Sequence, residues 1–213
     1  MKKRRLLAVT LVLALVLGSV ALPAGAAFQD AKGHWAQEAI ERWEGRGVVK
    51  GDEKGFRPDD PMTRAEFAVV LDRLMAYAET KVNPFKDVPA GTWYTKSVLG
   101  AAAAGILLGT DVDKASPGDR ITREQAFTLM GRALMVKENE AGTAAYSDAA
   151  EISKYAKGYI GGMTAAGILH GSNGKCSPKS NITRAEVITV VDNAIGDIVD
   201  KAGEYQKDSE KSV

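Results

Sequence analysis

The pattern of apolar and polar positions along the chain repeats three times with helical periodicity. In each repeat, a first apolar stretch with helical spacing follows an aromatic residue and ends at a glycine. A second stretch begins after a threonine and keeps its apolar residues on one helical face, as in Phe67, Val70, Leu71 and Leu74. No strong strand pattern is present. The sequence therefore predicts an all-α fold built from three helix-loop-helix repeats.

The spacing of landmark residues also recurs. Trp35, Trp93 and Tyr155 are each followed twelve positions later by a glycine, and a proline in each repeat precedes a threonine by five positions. A period of about 60 residues indicates one architectural unit used three times. Such a unit cannot bury its core alone, so we expect three related helices to pack together. The prediction is a pseudo-threefold arrangement around a central three-helix bundle.

The ends of the chain differ from the repeats. Four basic residues precede an uncharged apolar run and the small residues of 24–26, which is typical of a secretory signal peptide cleaved after Ala26. A retained transmembrane anchor is the alternative. We assign the signal peptide to 1–26, the repeats to 27–82, 83–143 and 144–199, and a polar tail to 200–213. We expect this tail to be frayed or disordered.

Charge and cysteine content narrow the classes of partner. Without residues 1–26, which hold four Lys/Arg and no acid, 24 basic and 27 acidic side chains remain, a net charge near −3. Such a chain has no bulk attraction for nucleic acid or anionic lipid. Cys176 is the only cysteine, so the chain cannot form an internal disulfide. A buried core position is its expected role, and a reactive thiol is the alternative.

Each second helix opens on a recognisable capping motif. A threonine followed three positions later by Glu or Gln predicts a capping box, at Thr63 and Glu66, Thr122 and Gln125, and Thr183 and Glu186. Each repeat also begins with an aspartate two positions after an aromatic residue, at Asp30, Asp87 and Asp148. We predict that these aspartates cap the first helix or its preceding turn.

The arginine after each capping threonine is the sharpest functional candidate. Arg64, Arg123 and Arg184 fall at the first turn of a helix, where the helix dipole disfavours a cation. One explanation is an anion held jointly by the guanidinium group and the free amides of the helix start. A planar carboxylate would suit arginine well. The other explanation is an ion pair with the aspartate of a repeat.

Two further repeated positions are candidates for a binding site. The aromatic residues Trp35, Trp93 and Tyr155 could stack on a sugar ring, or could be core residues at the start of a helix. The second glycine of each repeat, at Gly51, Gly109 and Gly171, is expected where the backbone turns sharply or comes close to another group.

Catalysis has little support in the sequence. The two histidines, His34 and His170, do not occupy equivalent positions, so a Ser-His-Asp arrangement would be arbitrary. No His/Cys cluster with zinc-ligand spacing is present. We predict no enzymatic activity, no cofactor and no metal. A glycan-binding module and a structural protein that associates with other proteins remain as alternatives.

Together these motifs resemble the S-layer homology (SLH) family. The resemblance covers residues 28 to about 199 and rests on the Phe-x-Asp opening, the His34-Trp35 aromatic, the Gly-Ile/Val-x-x-Gly segment and Thr-Arg-Ala-Glu. It implies a secreted bacterial protein anchored non-covalently to the cell wall. The implied ligand is pyruvylated secondary cell-wall polysaccharide, bound in grooves between neighbouring repeats. After signal cleavage, neither a membrane nor nucleic acid is an expected partner.

The resemblance also assigns roles to residues. Arg64, Arg123 and Arg184 would hold the carboxylate of the pyruvyl ketal, the glycines Gly51, Gly109 and Gly171 would let backbone approach the ligand, and Trp35, Trp93 and Tyr155 would lie at or beneath the grooves. The alternative role is a structural envelope protein with degenerate glycan grooves, which associates with another envelope protein or takes part in S-layer assembly.

Three departures from the repeat pattern make the grooves unequal. Glu124-Gln125 stands where the other repeats have Ala-Glu, Tyr155 replaces tryptophan, and Ser177-Pro178-Lys179 replaces the Arg57-Pro58-Asp59 of the first repeat. We expect the grooves with Arg64 and Arg184 to be chemically better preserved.

Overall fold

Helices make up the regular structure of the described part of the chain. The computed structural model describes residues 28–210; the predicted signal peptide and its cleavage point after Ala26 lie outside them, as do residues 211–213. The α-helices are α1 (Gln37–Gly45), α2 (Arg64–Met75), α3 (Thr95–Ala103), α4 (Arg123–Ala133), α5 (Lys154–Ala165) and α6 (Arg184–Glu210). Short 3-10 helices span Gln29–Ala31, Glu140–Ala145 and Ala149–Glu151. Between residues 28 and 210 only isolated β-bridges occur, which confirms the all-α prediction.

Residues 60–184 form one compact unit. Within it, α2 packs against α3 and α4, and α4 packs against α5. Large apolar side chains of these helices are fully buried, among them Phe67, Phe127, Met130, Ile160 and Met163. The apolar stripes read from the sequence therefore form the core of this unit.

A closed cycle of backbone hydrogen bonds joins equivalent residues of the three repeats inside this unit. Met62 donates to the Ile182 carbonyl oxygen, Ile182 donates to Ile121, and Ile121 donates back to Met62, at 3.0 to 3.1 Å. All three side chains are buried, and each residue directly precedes a capping threonine. The cycle thus fixes the starting points of the three second helices relative to one another. The threefold arrangement of whole repeats around a central bundle stays a prediction.

Residues 28–59 and 185–210 form a second compact unit, which contains α1 and nearly all of α6. Asp192 of α6 accepts hydrogen bonds from Arg42 at 2.6 Å and from the Trp43 indole at 2.8 Å. Asp200 pairs with Arg46 at 2.8 Å. These contacts hold one helix against the other. The polar tail expected to be frayed from residue 200 onward instead continues α6 to Glu210.

The predicted helix ends are largely present. Complete capping boxes occur at Thr63 with Glu66 and at Thr122 with Gln125. The first helices end at glycines with positive φ, as at Gly105 with φ of 73°. Two of the first helices begin later than predicted: α1 and α3 start two residues after Trp35 and Trp93. Within residues 28–210, no helix has both the length and the apolar character that a membrane crossing requires.

Candidate functional site

One aspartate in each repeat holds the loop between the two helices. The Asp148 carboxylate accepts hydrogen bonds from the backbone N–H groups of Cys176 and Ser177 at 2.8 and 2.7 Å. The equivalent bonds in the other repeats join Ala115 and Ser116 to Asp87, and Phe56 and Arg57 to Asp30. At Asp148 the predicted capping role is therefore wrong, since the 3-10 helix that follows it has no side-chain cap and the carboxylate binds the distant loop instead.

The clamped loop residues have a backbone conformation that L-amino acids rarely adopt. Arg57, Ser116 and Ser177 have φ of 57°, 51° and 51°, in the left-handed region. This conformation costs a non-glycine residue on the order of 1 kcal/mol. The two hydrogen bonds to the aspartate oppose this cost, so the aspartate sets the shape of the loop that the neighbouring repeat contacts.

Arg64 reaches from the start of α2 into the loop of the second repeat. Its side chain is buried, and Nε donates to the Ala115 carbonyl oxygen at 2.7 Å while Nη2 lies 3.4 Å from that of Leu108. Of the two explanations for this arginine, the ion pair with a repeat aspartate is thus not formed by Arg64. Burial lowers the pKa of Arg64, an effect that nearby Asp119 and Asp87 only partly oppose. The group remains a cation.

Arg123 has the same place at the start of α4. Its Nε donates to the Cys176 carbonyl oxygen at 2.8 Å, and its guanidinium group lies 5.1 Å from the centre of the Phe127 ring. Arg123 therefore joins the second repeat to the third as Arg64 joins the first to the second. Arg184 begins α6, and its backbone N–H donates to the Asp60 carbonyl oxygen.

The amides at the helix starts are already bonded within the chain. Arg64 donates its N–H to the Asp119 carbonyl oxygen, and Ala65 donates to that of Pro117. The next amide, that of Glu66, donates to the Thr63 hydroxyl oxygen. The first two amides of α4 bond in the same way to the carbonyl oxygens of Ser180 and Pro178. The idea of an anion held by free helix-start amides is therefore wrong at α2 and α4.

The second glycine of each repeat lies against groups of its own repeat. A Cβ on Gly109 would lie 2.6 Å from the Asp111 carbonyl oxygen and 2.7 Å from that of Lys114. The equivalent Cβ on Gly51 would meet the Phe28 ring, and that on Gly171 would meet Tyr146 and the Lys175 carbonyl oxygen. The predicted close approach is thus made to the repeat's own loop, and approach of a ligand at these glycines stays a prediction.

We expect Gly109→Ala to lower the free energy of unfolding by about 1–3 kcal/mol, because the new methyl group overlaps backbone that cannot easily move. Urea unfolding followed by circular dichroism measures the change. Gly118→Ala is the matched control, since a Cβ at Gly118 has nothing within 4 Å and should change stability little. Equal stability of the two variants would contradict this explanation.

The three candidate aromatic residues lie at the surface. Trp35, Trp93 and Tyr155 are 64%, 65% and 50% exposed, so the alternative that places them in the core is wrong. Trp93 contacts Tyr94 edge-to-face at 5.2 Å, and Trp35 lies 5.1 Å from the ring of His34. Tyr155 differs from both tryptophans because its hydroxyl group is engaged with Glu124.

Glu124 is the centre of a hydrogen-bonded cluster between the second and third repeats. Its carboxylate accepts bonds from the Ser153 N–H at 2.9 Å, the Ser153 hydroxyl at 3.0 Å, the Tyr155 hydroxyl at 3.0 Å and the Lys179 Nζ at 2.6 Å. The Glu124 side chain is only 6% exposed, whereas that of Lys179 is 53% exposed. We call Arg123, Glu124, Ser153, Tyr155 and Lys179 the second junction.

The electrostatics of this cluster favour the charged carboxylate. Burial raises the pKa of Glu124, but the bonds from Lys179, Ser153 and Tyr155 outweigh it, so the pKa lies below its usual value. Burial, with the neighbouring carboxylate, raises the pKa of Tyr155 to about 12. At neutral pH Glu124 is therefore ionised and Tyr155 is a protonated donor.

The equivalent positions between the first and second repeats hold small residues. Ala65, Gly91 and Gly118 stand where the second junction has Glu124, Ser153 and Lys179, and Trp93 stands in place of Tyr155. A Cβ on either glycine would have nothing within 4 Å. We call Arg64, Ala65, Gly91, Trp93 and Gly118 the first junction. It has the cation and the aromatic residue of the pattern, but an alanine stands where the second junction has the carboxylate of Glu124.

The family of the chain follows from comparison of this repeated pattern with known proteins. The model of the S-layer homology domain matches three times, at residues 27–68, 84–127 and 145–188. The chain belongs to the S-layer homology domain family. Its three matches coincide with the three repeats read from the sequence, which confirms the resemblance. Membership indicates a secreted protein that attaches at the bacterial cell surface.

Relatives of this SLH chain include both enzymes and surface-layer proteins. The chain is 35% identical over 171 residues to an amylopullulanase of Thermoanaerobacterium thermosulfurigenes, covering 77% of this chain and 9% of that enzyme. It is 31% identical over 207 residues to a surface-layer 125 kDa protein of Lysinibacillus sphaericus, covering 92% and 17%, and 29% identical over 190 residues to the S-layer protein sap of Bacillus anthracis, covering 86% and 23%. The chain thus spans less than a quarter of each relative, and the SLH repeats are what it shares with them.

The cluster around Glu124 was missed by the sequence analysis as a unit. Its members Glu124, Tyr155 and Lys179 are the three separate departures from the repeat pattern, and the structure brings them into contact. Ser153, which completes the cluster, had no signal of its own. The sequence did carry a signal: residues at positions that face one another across a repeat boundary all differ from the repeat pattern. Cys176 lies in the core as expected, and burial raises the pKa of its thiol to about 11.

Proposed function

We propose that this SLH chain attaches non-covalently to the bacterial cell wall by binding pyruvylated secondary cell-wall polysaccharide. The first junction is the part of the described structure best suited to this role. The carboxylate of the pyruvyl ketal would lie at Arg64, and the sugar ring would lie on Trp93.

The state of Arg64 carries the proposal. Its guanidinium group is buried and cationic, and both of its hydrogen-bond partners are neutral carbonyl oxygens. Buried charges in proteins are normally paired, because an unpaired charge loses its hydration without compensation. Asp119 and Asp87 are near enough to act on the Arg64 charge but accept no hydrogen bond from it, so a ligand carboxylate would be its direct anionic partner. Since the helix-start amides are occupied, the side chain rather than the backbone would bind it.

The exposed tryptophan supports a sugar as the remainder of the ligand. Trp93 presents 65% of its surface to solvent, although large aromatic side chains usually bury theirs. The neighbouring positions Gly91 and Gly118 leave open space for a ligand. An acidic sugar combines the carboxylate that Arg64 requires with an apolar ring face that suits an indole.

We expect Trp93→Ala to weaken binding to pyruvylated walls by roughly 3- to 10-fold, which is the contribution that one aromatic contact makes to affinity. Stability should change little, because the side chain is mostly exposed. Co-sedimentation over a range of wall concentrations measures the affinity. Val82→Ala, which removes another exposed apolar side chain, is the control. Wild-type affinity in the Trp93→Ala variant would contradict a sugar contact at this position.

A further inference from the structure

The second junction contains a carboxylate of its own where the first junction is open. Glu124 occupies the position of Ala65, directly after the arginine of the motif, and its side chain extends into the space between two repeats. The donors around it come from the third repeat: the N–H and hydroxyl groups of Ser153, the Tyr155 hydroxyl and the Lys179 ammonium group.

These donors form a complete carboxylate site. Oε1 accepts three hydrogen bonds and Oε2 accepts one, and the shortest, at 2.6 Å, comes from a cation. Lys179 also donates to the Ser153 hydroxyl oxygen at 2.6 Å, which orients that hydroxyl group toward Glu124. Three neutral donor groups and a cation around a carboxylate are what a site for an acidic ligand needs. Here the chain itself fills the site.

The departures from the repeat pattern match this arrangement one by one. The motif alanine becomes the acid, the tryptophan becomes a tyrosine that can donate to it, and the position after the proline becomes the lysine that pairs with it. Ser153 replaces a glycine that has open space around it in the first junction. The four residues that differ from the repeat pattern, spread over two repeats, thus form one hydrogen-bonded cluster.

We propose that Glu124 acts as an internal carboxylate in the position of a ligand's carboxylate, and so closes the second junction to acidic glycans. This inference rests on the proposed function for the identity of the glycan, but not for the carboxylate site itself. It makes Glu124 a specificity-determining residue: the chain keeps the structural link between its second and third repeats while one junction is withdrawn from ligand binding.

Removing the internal carboxylate should open the site. In Glu124→Ala, the Ser153, Tyr155 and Lys179 donors remain, and acetate, the simplest carboxylate, is expected to bind among them. At ten times its Kd, acetate should raise the Tm of this variant by roughly 3–6 °C. Amide NMR signals of Ser153 and Lys179 should shift and saturate with acetate. Chloride at equal ionic strength is the control for a general salt effect.

Glu124→Gln is the matched control variant. Its side chain still fills the second junction, so neither acetate nor a larger acid should bind there. The wild-type protein should behave in the same way at Ser153 and Lys179. If Glu124→Ala does not fold, Glu124→Ser opens the same space with a small polar side chain. A folded, opened variant whose Ser153 and Lys179 signals do not respond to acetate would overturn the proposal.

A second ligand separates this inference from the proposed function. A methyl glycoside bearing a 4,6-pyruvyl ketal should shift the same amide signals in Glu124→Ala and leave them unchanged in Glu124→Gln. If acetate binds there and the pyruvylated glycoside does not, the junction was not a closed glycan site and the proposal fails. If the wild-type protein instead binds equally well to walls with and without the pyruvyl modification, the proposed function is overturned. That outcome does not depend on whether acetate binds at the second junction.

Discussion

Replacing Arg64 by alanine is expected to abolish most wall binding, and the matched change at Arg123 is not. Loss of the guanidinium cation should weaken binding to pyruvylated walls by roughly 10- to 100-fold, the value of a charge-assisted hydrogen-bonded contact. The reason is that the first junction, to which Arg64 belongs, has open space at Gly91 and Gly118, whereas Glu124 already fills the second junction. Co-sedimentation with intact walls measures the difference.

The control matters because both arginines also hold the fold together. Nε of Arg64 and of Arg123 donates to a carbonyl oxygen in the next repeat, at 2.7 and 2.8 Å. Each alanine variant should therefore lose about 2–4 kcal/mol of stability, from an unsatisfied buried carbonyl group and a cavity. We expect the two alanine variants to lose similar amounts of stability, and only Arg64→Ala to lose most of its wall binding. Equal loss of binding in both variants would show that the arginines act only through stability.

Asp148→Ala is expected to destabilise the protein by about 2–4 kcal/mol, since the backbone N–H groups of Cys176 and Ser177 lose their shared acceptor. Ser177 would also keep its left-handed conformation with nothing to hold it. Urea unfolding measures the loss. Asp113→Ala is the control, because Asp113 pairs with a largely exposed lysine and such pairs contribute at most about 1 kcal/mol. If Asp148→Ala loses no more stability than Asp113→Ala, the two hydrogen bonds to Asp148 do not hold the loop in place.

The same aspartate should make stability depend on pH. Burial raises the pKa of Asp148, but hydrogen bonds from Cys176 and Ser177 outweigh it and the pKa lies below its usual value. A carboxyl group with a depressed pKa in the folded state stabilises the protein above its unfolded-state pKa. That stabilisation should be lost as the pH falls from the ordinary aspartate pKa through the lower pKa of the folded state. The stability difference between wild type and Asp148→Ala should shrink in the same range.

Local features of the fold were predictable from the sequence. The capping boxes at Thr63 and Thr122 and the glycine at the end of each first helix depend on neighbours within a few positions, so spacing alone reveals them. The apolar stripes of α2 and α4 follow from helical period in the same way. The repeat itself predicted the family, because three ordered copies leave few alternatives.

Features that depend on contacts between repeats were not predictable. The amides of Arg64 and Ala65 looked free because their partners lie more than fifty positions away, in the loop of the next repeat. The aspartates looked like helix caps because their loop partners are 26 to 29 positions distant. The role of Glu124 depended on the third repeat. A single repeat, read alone, does not show what its neighbour supplies.

The most direct test of wall attachment is co-sedimentation of the purified protein with three preparations of bacterial cell wall. One carries the secondary polysaccharide intact, one has been chemically stripped of it, and one carries the polysaccharide without the pyruvyl modification. Binding of an acidic sugar at Arg64 predicts that the protein pellets with the intact walls alone. Equal pelleting with all three, or with none, would contradict the carboxylate contact and would direct the search to a protein partner in the envelope.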